Sequence, residues 1–168
     1  MPSAAEDSAL YRLAEQTGQA LSARRWLLAL AESCTGGWIA KVLTDVPGSS
    51  GWFERGFVTY SNAAKVELLG VPQAILDAHG AVSRETVNAM AAGALTHSRA
   101  DLALAVSGIA GPDGGSPDKP VGTVWLAWAR RGRPGHSRCH SFQGDREAVR
   151  RQAVVAALEG LLERFDAG

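Results

Sequence analysis

Short, wholly apolar runs alternate along this chain with longer segments whose apolar residues recur every three or four positions. The runs 26–31 and 102–106 contain no polar residue, which is typical of strands that are covered on both faces of a sheet. The longer segments have the period of helices that bury one face. This alternation predicts an α/β fold, a single three-layer α/β/α domain over residues 1–168 with a mixed, mostly parallel sheet.

Caps, glycines and prolines set the expected limits of the elements. Ser3 and Glu6 match a capping box, and Gly70 follows one helical segment as its C-terminal cap, with Pro72 beyond it. The segment 107–120 is rich in Gly and Pro and is predicted to be a loop. Predicted helices begin near Ser3, cover 38–44 and 62–69, run from Ser83 to about 98 and start again near Asp145; predicted strands are 26–31, 53–60, 102–106, 121–129 and 138–142, the last two as a hairpin.

Charge and cysteine content exclude several classes of function. Lys and Arg total 17 and Asp and Glu total 17, so the chain has no net basic field for generic nucleic-acid or anionic-membrane binding. The apolar runs are far shorter than the roughly 18 residues of a membrane helix, and the N-terminus lacks the basic cluster of a signal peptide. Cys34 and Cys139 form neither a CxxC pair nor a disulfide framework. We therefore expect a cytoplasmic protein without a membrane partner.

The segment 31–37, Ala-Glu-Ser-Cys-Thr-Gly-Gly, leads from a predicted strand into a predicted helix. Unpaired backbone N–H groups at a helix start can bind an anion, either a phosphate or a developing oxyanion. The ordinary alternative is a strand-to-helix turn in which Thr35 caps the helix. The segment matches neither a P-loop nor a GxGxxG motif.

The segment 59–65 follows another predicted strand. If Asn62 caps the next helix, Lys65 lies one turn inside it, where its long side chain reaches the space beside Tyr60. A lysine beside a serine can act as the general base of that serine once burial lowers the lysine pKa. The ordinary alternative for Lys65 is a solvated helix lysine.

The segment 107–117 begins directly after the strand 102–106, and its small residues allow a ligand to approach the backbone closely. The remainder, up to Pro120, is predicted to be a mobile lid or a surface loop. A different group, His136, Cys139 and His140, lacks the carboxylate that would complete a metal site, so we expect exposed hairpin residues and no metal.

Three motifs occur in one order along the chain: 31–37, then 58–62 (Val-Thr-Tyr-Ser-Asn) with Lys65, then 106–112 (Val-Ser-Gly-Ile-Ala-Gly-Pro). Together they resemble the CinA C-terminal domain family, whose enzymatic members are nicotinamide-nucleotide amidohydrolases. The segments 80–83 and 120–124 also look like family segments, so the resemblance covers most of the chain.

The resemblance implies hydrolysis of the carboxamide of nicotinamide mononucleotide to nicotinate mononucleotide and ammonia, in pyridine-nucleotide recycling and without a metal or cofactor. It implies that Ser33 is the nucleophile, Lys65 its base and Tyr60 a helper in proton transfer. Which glycine-rich loop binds the phosphate and which holds the oxyanion stays open. The expected substrate-binding residues are Thr35, Gly36, Gly37, Asn62, Ser107, Gly108, Ala110 and Gly111.

Two other hypotheses remain. The domain could be a non-catalytic nucleotide-binding accessory module of competence or DNA-damage response, which would use the glycine-rich loops and leave Ser33 and Lys65 idle. It could also be a thiol hydrolase that uses Cys34. The expected partner in the first reading is a small-molecule nucleotide, and a homo-oligomer such as a dimer stays open beside a monomer.

Overall fold

The computed structural model describes residues 3–166 as a five-stranded sheet with helices on both faces. The strands, in the spatial order β2-β1-β3-β4-β5, are β1 (Leu28–Glu32), β2 (Phe53–Val58), β3 (Leu102–Gly108), β4 (Thr123–Arg130) and β5 (His136–Ser141). The helices are α1 (Ala4–Arg24), α2 (Trp38–Thr44), α3 (Asn62–Leu69), α4 (Gln73–His79), α5 (Arg84–Thr96) and α6 (Arg146–Asp166), with a short 3-10 turn at Ser49–Gly51.

Local caps set several of these limits as predicted. The Ser3 hydroxyl accepts from the amide of Glu6 at 3.3 Å and the Glu6 carboxylate accepts from the amide of Ser3 at 2.7 Å, which completes the capping box of α1. Gly70 ends α3 in the left-handed conformation, with φ of 66°, which glycine adopts without steric cost.

Several expectations need correction. The strand predicted over 53–60 ends at Val58, and the strand predicted over 138–142 is His136–Ser141. The strand predicted over 26–31 begins only at Leu28, because the backbone of Leu27 pairs instead with Asp101, whose carboxylate accepts from the Leu27 amide at 2.8 Å. The loop predicted from residue 107 begins later, since β3 continues to Gly108. Helix α4 was not predicted, because Pro72 read as a stop signal and only seven helical residues follow it.

The sheet is mixed, as predicted. β1 pairs in parallel with both β2 and β3, whereas β3 pairs with β4, and β4 with β5, in antiparallel fashion. The carboxyl ends of β1, β2 and β3 therefore meet at one edge of the sheet, which is where ligands bind in open α/β sheets.

Two apolar cores, one on each face of the sheet, confirm the three-layer arrangement. On one face the side chains of Leu28, Leu30 and Leu104 pack against α1, α2 and α6. On the other face Ala29, Ala31 and other small residues pack against α3, α4 and α5. None of the helices within residues 3–166 combines the length and the apolar character that crossing a bilayer demands.

Small residues bring α3 close to its neighbours. A Cβ on Gly93 of α5 would collide with the carbonyl oxygen of Leu69, the last residue of α3. The end of α3 thus lies directly on the backbone of α5, and this contact fixes the position of α3 above the carboxyl end of β1.

Candidate active site

Three hydroxyl residues lie at the same level, at the carboxyl ends of the three parallel strands. Glu32 at the end of β1 lies opposite Val58 of β2 and Val106 of β3. The amide of the next residue, Ser33, donates to the carbonyl of Val106 at 3.0 Å, and the amide of Thr59 donates to the carbonyl of Glu32 at 2.9 Å. Ser33 therefore lies between Thr59 and Ser107 at the carboxyl edge, and all three residues are buried.

The β2–α3 connection delivers a lysine to this row. The Ser61 hydroxyl accepts from the amide of Ala64 at 3.0 Å and so caps α3, a role that the sequence had predicted for Asn62. Ser61 has the extended conformation that a cap needs, and Asn62 is already the first helical residue. Lys65 still lies one turn inside α3, as predicted, and points back toward the strand ends.

Lys65 is only 1% exposed, although a lysine is rarely buried without a partner. Its Nζ lies 3.1 Å from the Oγ of Ser33, 2.8 Å from the carbonyl oxygen of Thr59 and 3.3 Å from that of Tyr60. Loss of hydration on burial lowers the pKa of Lys65, because the ammonium form loses more solvation than the neutral amine. No carboxylate lies within 4.0 Å of Nζ among residues 3–166 to offset that loss.

These contacts, together with a longer one from Nζ to the carbonyl oxygen of Ser61 at 3.5 Å, are compatible with a neutral amine. An uncharged lysine has two N–H bonds and one lone pair. When its N–H groups donate to the carbonyls of Thr59 and Tyr60, the lone pair is free to accept the hydroxyl proton of Ser33. The arrangement can therefore move a proton between Ser33 and Lys65.

A buried carboxylate holds the loop after Ser33 in place. Glu32 is 1% exposed and accepts from the Thr35 hydroxyl at 2.6 Å, and from the amides of Ile39 and Ala40 at 3.0 Å each. The alternative in which Thr35 caps α2 is therefore wrong, since Gly37 precedes the helix and Glu32 satisfies its first-turn amides. This helix start already holds an anion, and that anion is a side chain of the protein.

A cation from α6 holds the same loop from the other side. The Arg150 guanidinium donates through Nε to the carbonyl of Cys34 at 3.0 Å and through Nη2 to the carbonyl of Thr35 at 3.1 Å. Glu32 and Arg150 thus fix the backbone on both sides of the residues that follow the serine. The sequence analysis assigned neither of them a role, because both contacts depend on tertiary packing.

An open cavity of about 280 Å³ lies above Ser33 and Lys65. Of the residues singled out in the sequence, the cavity is lined by Ser33, Tyr60, Lys65, Ser107, Gly108, Ala110 and Gly111. Four others lie outside this lining: Thr35, Gly36, Gly37 and Asn62. Gly36 faces the Arg150 guanidinium and Gly37 faces Val58, so both belong to the turn that supports the cavity from behind.

Tyr60 forms one wall of the cavity and is 60% exposed. Its hydroxyl accepts from Nη2 of Arg146 at 3.1 Å, and the other end of that guanidinium donates to the carbonyl of Gly111 at 2.9 Å. Arg146 also lines the cavity, and no local sequence pattern indicated a role for it. It reaches the site because the start of α6 packs beside the strand ends.

The remaining sequence candidates lie in two places. Cys34 lines the cavity, and burial raises the pKa of its thiol to about 12, so the thiolate is scarce at neutral pH. His136 and Cys139 are exposed on β5, as expected for hairpin residues, whereas His140 is half-buried there.

Comparison with known proteins identifies the family to which this chain is similar. The family model of the CinA C-terminal domain matches residues 10–165. The chain is 59% identical over 159 residues to the nicotinamide-nucleotide amidohydrolase PncC of Escherichia coli (strain K12), covering 95% of this chain and 96% of that protein. It is 58% identical over 151 residues to the protein of the same name from Pseudomonas putida, covering 90% and 94%.

A solved structure agrees with the sequence relatives. The crystal structure of a competence-damaged protein (CinA) superfamily protein from Klebsiella pneumoniae superposes with a TM-score of 0.91 at 42% identity, covering 95% of this chain and 99% of that chain. The motifs, the sheet order and the serine–lysine pair described above lie within the matched region. The chain belongs to the CinA C-terminal domain family.

Proposed function

We propose that this chain is a nicotinamide-nucleotide amidohydrolase that converts nicotinamide mononucleotide and water to nicotinate mononucleotide and ammonia. The observation that carries the proposal is the buried Nζ of Lys65 at 3.1 Å from Oγ of Ser33, at the floor of an open cavity. The names of relatives at 58–59% identity support the choice of substrate.

The first half of the reaction forms an acyl-enzyme. Oγ of Ser33 attacks the carboxamide carbon while Nζ of Lys65 takes the hydroxyl proton. The tetrahedral intermediate then collapses, the carbon–nitrogen bond breaks, and Lys65 returns the proton to the departing NH₂ group. Ammonia leaves, the nicotinoyl group remains as an ester on Ser33, and Lys65 is neutral again.

The second half consumes one water molecule. Lys65 takes a proton from the water as the water oxygen attacks the ester carbon, and it then protonates Oγ of Ser33 as the ester bond breaks. The acid product leaves and both residues return to their starting forms. Because one group accepts and donates a proton in each half, a lysine with a lowered pKa is suited to the task.

Burial is what prepares Lys65 for this work. A lysine with an ordinary pKa of about 10.4 is almost wholly protonated near neutral pH and cannot act as a base. Burial lowers the pKa of Lys65, and the carbonyls of Thr59 and Tyr60 orient its N–H groups away from Ser33.

Two segments offer backbone amides to the developing oxyanion. Ala110 and Gly111 line the cavity, and their amides donate no backbone hydrogen bond within the part of the chain that the structure describes. In the segment 33–37, the amides of Ser33 and Gly36 already donate to carbonyls, but the amide of Cys34, which also lines the cavity, does not. We therefore assign the developing negative charge to an amide of residue 34 or of residues 110–111.

Tyr60 contributes in two ways that the geometry supports. Its backbone carbonyl orients Lys65 and its ring walls the cavity. The resemblance also implies a role for its hydroxyl in proton transfer, and that role stays a prediction, since the hydroxyl accepts from Arg146 and makes no hydrogen bond to Ser33 or Lys65 among residues 3–166.

Ammonia release from nicotinamide mononucleotide by the purified chain tests the proposal. We expect turnover that yields nicotinate mononucleotide and ammonia in equal amounts, and accumulation of an acyl-enzyme on Ser33 when the reaction is quenched with acid. Absence of ammonia release would favour the accessory module that binds nucleotides without reacting. The thiol hydrolase is disfavoured, because the raised pKa of Cys34 leaves little thiolate.

A further inference from the structure

Arg146 is an arginine that stands at the cavity without a carboxylate partner. It is the first residue of α6, it is exposed, and it lines the same cavity as Ser33 and Lys65. Among residues 3–166 no Asp or Glu oxygen lies within 4.0 Å of its guanidinium. An arginine keeps its positive charge in proteins, so a formal charge faces the cavity without a salt-bridge partner.

The guanidinium is oriented by neutral groups from two sides of the cavity. Its Nη1 donates to the carbonyl of Gly111 at 2.9 Å, and its Nη2 donates to the hydroxyl of Tyr60 at 3.1 Å. The Gly111 carbonyl lies after β3 and Tyr60 lies after β2, so the arginine bridges the two loops. A guanidinium has five N–H donors, and these two contacts leave donors for a ligand.

Tyr60 also contacts two basic side chains that line the cavity, Lys65 and Arg146. Lys65 contacts the backbone carbonyl of Tyr60, and Arg146 contacts the hydroxyl at the far end of the same residue. The reacting pair and the guanidinium therefore lie at opposite ends of Tyr60. In a mononucleotide a ribose similarly separates the base from the 5′-phosphate.

We propose that Arg146 binds the 5′-phosphate of the substrate and thereby makes the site selective for nucleotides over nucleosides. The inference rests on the proposed function and names the residue that would set its specificity. Planar guanidinium groups bind phosphate oxygens in a bidentate manner, and such charge-assisted hydrogen bonds are stronger than neutral ones. The Nζ of Lys65 is buried at the floor of the cavity and already contacts the Oγ of Ser33 and the carbonyl of Thr59, so Arg146 is the exposed basic group that faces a phosphate.

Asp113 adds a carboxylate to the lining of the cavity. It is exposed and lines the same cavity. Its carboxylate repels a phosphate but accepts hydrogen bonds from sugar hydroxyls. A phosphate is therefore expected at the guanidinium of Arg146 and not at the carboxylate of Asp113.

The test compares two substrates that differ only in the phosphate. Initial rates of ammonia release are measured with nicotinamide mononucleotide and with its nucleoside, nicotinamide riboside, for the wild-type chain, Arg146→Ala and Arg146→Lys. We expect kcat/KM for the nucleotide to fall about 10–100-fold in Arg146→Ala, as for a lost hydrogen bond to a charged group. The fall should lie mainly in KM, and the preference for nucleotide over nucleoside should shrink by the same factor.

Arg146→Lys and Arg133→Ala are the matched variants. Arg146→Lys keeps the charge without the bidentate geometry and should retain an intermediate preference, which also serves if Arg146→Ala folds poorly. Arg133 is an exposed arginine in the β4–β5 turn, outside this cavity, and its loss should leave the preference intact. Inhibition of the wild type by inorganic phosphate, weakened in Arg146→Ala, would support the same assignment.

The outcomes separate this inference from the proposed function. If the wild type releases no ammonia from the nucleotide, the proposed function itself is wrong. If the wild type is active but either shows no preference for the nucleotide or keeps that preference in both Arg146 variants, the function stands and the role of Arg146 is overturned.

Discussion

The basic side chains at the two ends of the sheet lie in different environments. At the carboxyl end of β1, the Nζ of Lys65 is buried against backbone carbonyls, and burial lowers its pKa. At the other end, a cavity of about 220 Å³ lies between Trp26, Trp128 and Phe165 and is surrounded by arginines. There the Arg130 guanidinium lies 4.2 Å from the ring centroid of Trp26, stacked on an aromatic face.

The difference shows that an apolar environment affects the charge of a lysine but not that of an arginine. A guanidinium keeps its charge and gains a cation–π contact, so burying the stem of an arginine on an aromatic ring adds packing and leaves no proton to transfer. Desolvation lowers the pKa of an amine, so the same kind of environment favours the neutral form of Lys65, which the proposed mechanism requires. At the carboxyl end the amine also lies beside a hydroxyl group, the Oγ of Ser33.

The largest effect is expected for Ser33→Ala. Removal of Oγ deletes the proposed nucleophile without adding bulk, so ammonia release should fall at least about 10³-fold while the circular dichroism spectrum stays that of the wild type. Cys34→Ala, which deletes the neighbouring thiol, is the control and should keep most of the activity. If the Ser33→Ala protein retained more than a tenth of the wild-type rate, Ser33 would not be the nucleophile, and the proposed chemical difference between the two ends of the sheet would be wrong.

Lys65→Arg should be nearly as damaging, with a loss of about 10²–10⁴-fold, as for a deleted general base. The variant makes the carboxyl end resemble the other end, because it replaces a titratable amine with a permanently charged guanidinium. In the wild type, kcat should rise with pH through the lowered pKa of Lys65, since the protonated form cannot accept the proton of Ser33. That rise should be absent from the residual activity of Lys65→Arg.

Substantial turnover by Lys65→Arg with an unchanged pH profile would contradict the base role. It would assign Lys65 to binding and require another group to activate Ser33. Measurement of both kcat and KM from pH 5 to about pH 10 distinguishes the two cases, because a binding role would alter KM and leave the pH dependence of kcat in place.

Glu32→Gln should have an intermediate effect. One oxygen of Glu32 accepts from the Thr35 hydroxyl and the Ile39 amide, and the other accepts from the Ala40 amide. A glutamine would turn an NH₂ group toward one of these donors, so the free energy of unfolding should fall by about 1–3 kcal/mol. Because the same residues shape the loop after Ser33, we expect kcat to fall about 10-fold or more with KM less affected.

Glu32→Asp provides the matched variant, since it keeps the charge and shortens the side chain. It should unfold at lower temperature than the wild type and keep more activity than Glu32→Gln. If Glu32→Gln lowers stability without lowering kcat, then the carboxylate holds α2 in place but does not position Ser33.

Sequence patterns predicted the elements where local signals agree. Helices α2 and α3 have the predicted limits, because glycines and caps bound their short apolar segments. The pairing of Ser33 with Lys65 was expected from the resemblance to the family, and the parallel pairing of β1 with β2 brings the two residues to the same edge of the sheet. Asn62 failed as the cap because Ser61, one residue earlier, takes the extended conformation.

The parts that the sequence did not predict depend on contacts between distant segments. Arg146 reaches the cavity through the packing of α6, more than 80 residues after Tyr60. Thr35 has the sequence context of a helix cap, yet its hydroxyl donates to Glu32, because a buried carboxylate needs several donors. No periodicity or motif predicts these contacts, because the residues that make them come together only once the sheet has formed.

The smallest effect is expected at the opposite end of the sheet, from Arg130→Ala. This variant removes the guanidinium that stacks on Trp26, a contact worth about 0.5–1 kcal/mol, and should lower the melting temperature by about 1–4 °C. Ammonia release should be unchanged within about twofold, because Arg130 lies at the far end of β4 from Ser33 and donates no proton. The melting temperature and kcat of Arg130→Ala, measured in parallel with those of Lys65→Arg as reference, check the expected small loss of stability and the expected unchanged activity. A large loss of activity with little loss of stability would mean that the arginine cavity communicates with the serine–lysine pair, and the separation of roles between the two ends would then be wrong.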